Sequence, residues 1–101
     1  MKVPKVVNIF GKEYKIITKE RLEHEGYDAL GLIYLDEGEI YLSTEQSLES
    51  LKRTLLHELF HGVVDRLGLH NVGFSEDAEE VLVEGLAVFI TENFEFSFHK
   101  K

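Results

Sequence analysis

His57, Glu58 and His61 stand in the segment HELFH, two imidazoles four residues apart with a carboxylate directly after the first. On an α-helix, residues four apart share one face and lie about 6 Å apart along the axis. Two imidazoles so placed can converge on one Zn²⁺ ion, and the intervening glutamate can take a proton from a water beside it. A working zinc site of this kind needs a third protein ligand and one open position. The bare pattern is a good signal but not a decisive one in a chain with five histidines and fifteen glutamates. The elements that position it must carry the rest.

The chain's 101 residues suffice for one core and one domain, residues 1–101. A hydrophobic share of 44% with a single proline fits a folded chain with uninterrupted helices. The net charge of −8, with eleven basic residues that do not cluster, argues against a nucleic-acid partner. Cysteine is absent, so His, Asp and Glu are the strong metal donors available. The start, MKVPKVVNIF, lacks the apolar core of a signal peptide, and no run reaches the length of a membrane span. A cytoplasmic protein with no membrane partner is expected.

Val6 to Phe10 and Tyr14 to Ile17 are β-prone runs around Gly11-Lys12, and they predict two strands joined by a tight connection. Thr18 to Ala29 is polar and reads as a solvated helix or loop, with His24 at its surface. Leu30 to Leu35 and Glu39 to Leu42 flank Asp36-Glu37-Gly38 and predict a second hairpin. Ser43, Thr44 and Ser47 offer caps for a helix whose apolar stripe is Leu48, Leu51, Leu55, Leu59 and Val63. His57 and His61 lie off that stripe. Gly68 is placed to end the helix, Leu69 to Phe74 forms a loop carrying His70, and Ser75 can cap a second helix running to Asn93.

The second helix is apolar almost all the way round, which predicts burial. Its exception is a stripe with Glu80 and Glu84 about 40° apart, flanked by Asp77 and Thr91. Buried carboxylates call for a cation, so either glutamate is a candidate third ligand. The tail alternates Phe94, Phe96 and Phe98 and is expected to pack on the core, with His99 exposed. The fold class expected is α+β: a small antiparallel or mixed sheet of about three or four strands against an active-site helix and a second buried helix.

The segment GLIYLDEGEIYLSTEQSLESLKRTLLHELFH, followed by EEVLVEGLA, resembles the gluzincin metallopeptidases, and within them the small ImmA/IrrE-like proteins of phage and mobile elements. That resemblance implies a zinc-dependent peptidase with one Zn²⁺ on His57, His61 and Glu80 and with Glu58 as general base. It makes Glu84 an acceptor that orients the first histidine. A second match, of VEGLAVF to the Asn-Glu-Gly-Phe-Ala motif of other gluzincins, would make Glu84 the ligand instead. The chain departs from the commoner HELGH, having Leu59-Phe60 in the middle, and Leu67 occupies the third-histidine position of a metzincin.

The resemblance further implies a protein or peptide substrate, such as a phage or mobile-element repressor, paired along an edge strand at Glu39 to Leu42. Tyr41, Tyr34 and His70 are candidates for polarising the scissile carbonyl. Two rival readings stand beside this one: a non-catalytic, zinc-stabilised protein-binding module that uses the same groove, and a metal-free helical core with surface histidines.

Overall fold

The computed structural model of the chain describes residues 2–98. Its strands are β1 (Val6–Ile9), β2 (Lys12–Lys19), β3 (Leu22–His24), β4 (Tyr27–Ala29), β5 (Gly31–Tyr34) and β6 (Glu39–Ser43). The helices α1 (Leu48–Leu67) and α2 (Glu76–Asn93) follow, separated by a 3₁₀ turn at Leu69–Val72. The architecture is α+β, as expected, with a mixed four-stranded sheet in the order β1-β2-β6-β5 and a separate β3-β4 hairpin.

Turn chemistry explains both sheet hairpins. Phe10 and Gly11 take positive φ between β1 and β2, and Gly38, at φ 67°, closes β5 onto β6. At Gly38 a Cβ would stand 2.8 Å from the Glu13 carbonyl oxygen, so a side chain is excluded on two counts.

Three expectations need correction. Residues 18 to 29 are neither helix nor open loop: β2 runs on to Lys19, and β3 and β4 pair through a turn with Glu25 and Gly26 at φ 52° and 84°. Three-residue strands are too short to display a period of two, so only the Glu-Gly turn could have announced them. Buried Leu22 and an Arg21–Asp28 ion pair of 2.8 Å hold the hairpin.

The second correction concerns the strand at Glu39 to Leu42. β6 is central, parallel to β2 on one side and antiparallel to β5 on the other, so its backbone has no free edge. The edge on that side of the sheet is β5. Ser43 N donates to Leu30 O at 2.9 Å, and in the antiparallel register the bonded pairs alternate from there. The N–H and C=O groups of Gly31 and Ile33 therefore turn away from β6.

The third concerns α2, which is not mostly buried. Its main packing partner is α1, and only Val83 and Ala87 on the covered face are fully enclosed. Ala78, Val88 and Ile90 are half-buried, and Val81, Leu82, Leu86 and Phe89 are exposed.

The core lies between the sheet and α1, where Tyr14, Ile40, Leu42 and Leu55 are wholly buried together with Ile9 and Leu59. Ser47 caps α1 by accepting from Ser50 N at 3.1 Å, and Gly68 ends it in the left-handed conformation. Of the tail phenylalanines expected on the core, Phe98 packs there whereas Phe94 is 57% exposed, and His99 lies outside the described residues.

Two glycines set how closely α1 approaches the sheet. A Cβ at Gly31 would meet the Thr54 methyl at 2.5 Å and the Glu58 carboxylate at 3.2 Å. One at Gly62 would clash with the flexible tip of Ile9, at 2.7 Å, and make ordinary contacts with Ile33 and Tyr14 at 3.5 and 3.7 Å. Thr54 is stiff at χ1 and its hydroxyl is tied to Gln46 at 3.0 Å, whereas the Ile9 tip can swing aside. Gly31→Ala is therefore expected to destabilise the fold by about 2 kcal/mol or more and Gly62→Ala by about 1 kcal/mol. Urea unfolding midpoints of the two variants check the ranking.

Candidate metal centre

α1 distributes three functional side chains in a little over one turn. His57 and His61 project towards α2 with ring centroids 4.8 Å apart and Nε2 atoms 3.1 Å apart. Glu58, one residue round the helix from His57, turns into the interior beside Gly31. From α2, Glu80 reaches the pair: Oε1 lies 3.0 Å from His61 Nε2 and Oε2 lies 3.7 Å from His57 Nε2. These three residues could hold a metal ion, since one donor atom from each lies within 4.8 Å of the other two.

The outer nitrogens of both rings face acceptors. His57 Nδ1 hydrogen-bonds Glu84 Oε1 at 3.1 Å, and His61 Nδ1 hydrogen-bonds Glu79 Oε2. An ionised carboxylate only accepts, so each Nδ1 carries the proton and each Nε2 of a neutral ring presents a lone pair inward. Two lone pairs and a carboxylate oxygen then face one another with no proton among them, an arrangement that repels unless a cation is shared. A tetrahedral ion with bonds of about 2.0 to 2.1 Å holds its donors about 3.3 Å apart. The two Nε2 atoms, 3.1 Å apart, are close to that spacing, and Glu80 approaches them with different oxygens, Oε1 at 3.0 Å from His61 and Oε2 at 3.7 Å from His57.

The reason for a cation here is convergence and not burial. Glu80 and Glu84 side chains are 63% and 52% exposed, so the expectation of two buried carboxylates on α2 does not hold.

Glu79, by contrast, is only 13% exposed and was not singled out in the sequence. It bridges two histidines, with Oε2 on His61 Nδ1 and Oε1 on His70 Nε2. The available signal was its place four residues before Val83, on the face of α2 that turns to α1. His70 also donates through Nδ1 to the Phe74 carbonyl at 2.6 Å. That bond and the Glu79 carboxylate raise its pKa and favour the imidazolium. The 3₁₀ turn is thereby fastened to the histidine pair.

Other candidates lie elsewhere. Tyr34 and Tyr41 pack edge to face, 5.6 Å between centroids, on the side of the sheet away from α1. With Lys19 and Arg21 they line a concavity of ≈ 530 Å³ remote from the histidines. His24 is exposed on β3, with Glu25 at 3.8 Å as its acidic neighbour.

Burial pushes the Glu58 carboxyl up to about 7, with the His57 imidazole opposing the rise and the Glu80 charge adding to it. In the metal-free chain the folded state thus keeps a proton that the unfolded state releases above its ordinary value of 4.5. Stability from this group is present below that value and is lost as pH rises to about 7. With chelator present, Glu58→Gln should match the wild type at the acid end of this window. Above neutrality it should be the more stable by up to about 3 kcal/mol. Urea titrations of both proteins across pH read the difference.

Comparison with known proteins adds no name to this geometry: no family model, curated protein or solved structure matches the chain.

Proposed function

We propose that the chain is a zinc-dependent metallopeptidase, a single minimal domain that hydrolyses a peptide bond with Glu58 as general base. The observation that carries this reading is the convergence of His57, His61 and Glu80 on one point, with the buried Glu58 carboxyl next to His57 on the same helix. A purely structural metal site has no use for a base at that position.

His57 Nε2, His61 Nε2 and a Glu80 oxygen would hold the ion, leaving a fourth position open. Bound zinc would supply Lewis-acid polarisation and a water of lowered pKa. Glu58 accepts the proton at its carboxylate and returns it to the leaving amine nitrogen. Glu84 and Glu79 keep the two Nδ1–H groups engaged, so that both Nε2 lone pairs stay aimed inward.

The Glu58 carboxylate lies against Gly31 on edge strand β5, whose Gly31 and Ile33 backbone groups face outward. An extended peptide paired along that edge would pass beside the base, which supports a peptide as substrate and moves the pairing strand from β6 to β5. The resemblance to ImmA/IrrE-like proteins makes a phage or mobile-element repressor the first substrate class to try. No helix among the described residues is long and apolar enough to cross a membrane.

The non-catalytic binding module that uses the same groove remains the rival, favoured by the half-exposed Glu80. The variants separate the two. Glu58→Gln should retain about one zinc per chain by elemental analysis and lose peptide-library hydrolysis by a factor of about 10² to 10⁴. His61→Ala should lose both. Undiminished hydrolysis by Glu58→Gln would refute the peptidase reading, and a wild type that binds zinc and peptide without cleavage would favour the module.

Glu80→Ala should abolish stoichiometric zinc, whereas Glu84→Ala should weaken it only about 10- to 100-fold. The reverse ranking in a competition titration would make Glu84 the ligand.

A further inference from the structure

α2 presents the composition of a buried helix on a face that the described residues leave partly exposed. Ala78, Leu82, Gly85, Leu86 and Phe89 fall within about 100° of one another around its axis, and none is charged. Leu82 is 43% exposed, Leu86 36% and Phe89 54%, and Phe94, 57% exposed, packs edge to face on Phe89 at 5.9 Å. Glu79 and Glu92 border the stripe. Glu80 and Glu84 lie on the opposite side of the helix, so the stripe and the metal centre do not compete for the same partner.

Gly85 sharpens the point. A glycine in mid-helix costs about 1 kcal/mol relative to alanine. A Cβ there would meet nothing within 4 Å, so no contact in this chain requires the missing side chain. A helix laid against the stripe from outside would require it.

We propose that this face is the interface of a homodimer in which α2 pairs antiparallel with α2 of a second copy. The pattern is self-complementary about a two-fold axis between Gly85 and Leu86. That axis sets Leu82 at the level of Phe89 of the second copy, brings Leu86 to Leu86 of the second copy on one flank and Gly85 to its Gly85 on the other, where the missing side chains let the backbones approach, and leaves small Ala78 at the level of Asn93. It also falls within about one residue of the middle of α2, Glu76–Asn93, so the helix is used along its whole length. Antiparallel helices oppose their dipoles favourably, and no charged residue meets its own copy on the axis.

The stripe with Phe94 offers about 400 Å² of apolar side-chain area per copy. A stable interface takes about 800 Å² per partner, of which a little over half is apolar, so the patch supplies most of that share. The charge of −8 on each copy opposes association, which makes added salt favourable.

Sedimentation equilibrium of the full chain tests this without any assay of zinc or hydrolysis. The wild type should be a dimer at micromolar concentration, tighter in higher salt. Leu82→Glu and Phe89→Glu should be monomers with unchanged far-UV circular dichroism. Gly85→Ala should move two readouts in opposite directions, weakening the dimer at least about tenfold while raising helix stability in the monomer. Because the chain has no cysteine, Leu86→Cys should oxidise to a disulfide-linked dimer, whereas Glu49→Cys on α1 should not. A wild type that stays monomeric, a dimer that survives both glutamate substitutions, an open-ended oligomer, or a Leu86→Cys variant that fails to cross-link would each overturn the proposal.

Discussion

The close seating of α1 against the sheet is the constraint on which the other features rest. At Gly31 the strand backbone approaches so near that Thr54 and Glu58 occupy the space a side chain would take. Glu58 is thereby closed off from water while His57, its neighbour in sequence, stays at the rim between α1 and α2. A helix turns about 100° per residue, so adjacent positions can serve different environments. The carboxyl's raised pKa and the metal-binding geometry of the imidazoles thus follow from one packing distance.

Around the histidines, a ring of acceptors decides protonation. Glu84 and Glu79 each engage an outer nitrogen, and the two inner nitrogens face each other and Glu80, where they could hold a metal ion. Glu79 extends this arrangement to His70 and, through Phe74, to the turn between the helices. Hydrogen bonds linked in this way hold ring orientation better than isolated pairs do. The loop between α1 and α2 consequently belongs to the site although it contributes no ligand.

α2 serves two directions at once. Its Val83 and Ala87 face docks on α1 and carries Glu79 and Glu80 to the histidines, while its Leu82 and Phe89 face remains open. A composition suited to full burial has therefore been realised as a helix with one covered side. The mismatch between composition and coverage is what distinguishes this helix from an ordinary amphipathic one.

Features written over a few residues were legible beforehand. The four-residue spacing of His57 and His61, the Ser47 and Gly68 helix ends, and the turn at Gly38 depend on backbone geometry within a turn or two, which the order of residues specifies directly. The α+β class followed from the same local periods. What lay beyond reach depended on which distant segments meet. An alternating strand reads alike at the centre and at the edge of a sheet, so only the pairing of β6 with β2 showed that β5 holds the free edge. Glu79 looked like one acid among many until α2 docked and turned it to His61, and the outward face of α2 was visible only once α1 proved to be its main neighbour. Contacts between segments far apart in the chain leave no period of their own in either segment, and they were settled by packing.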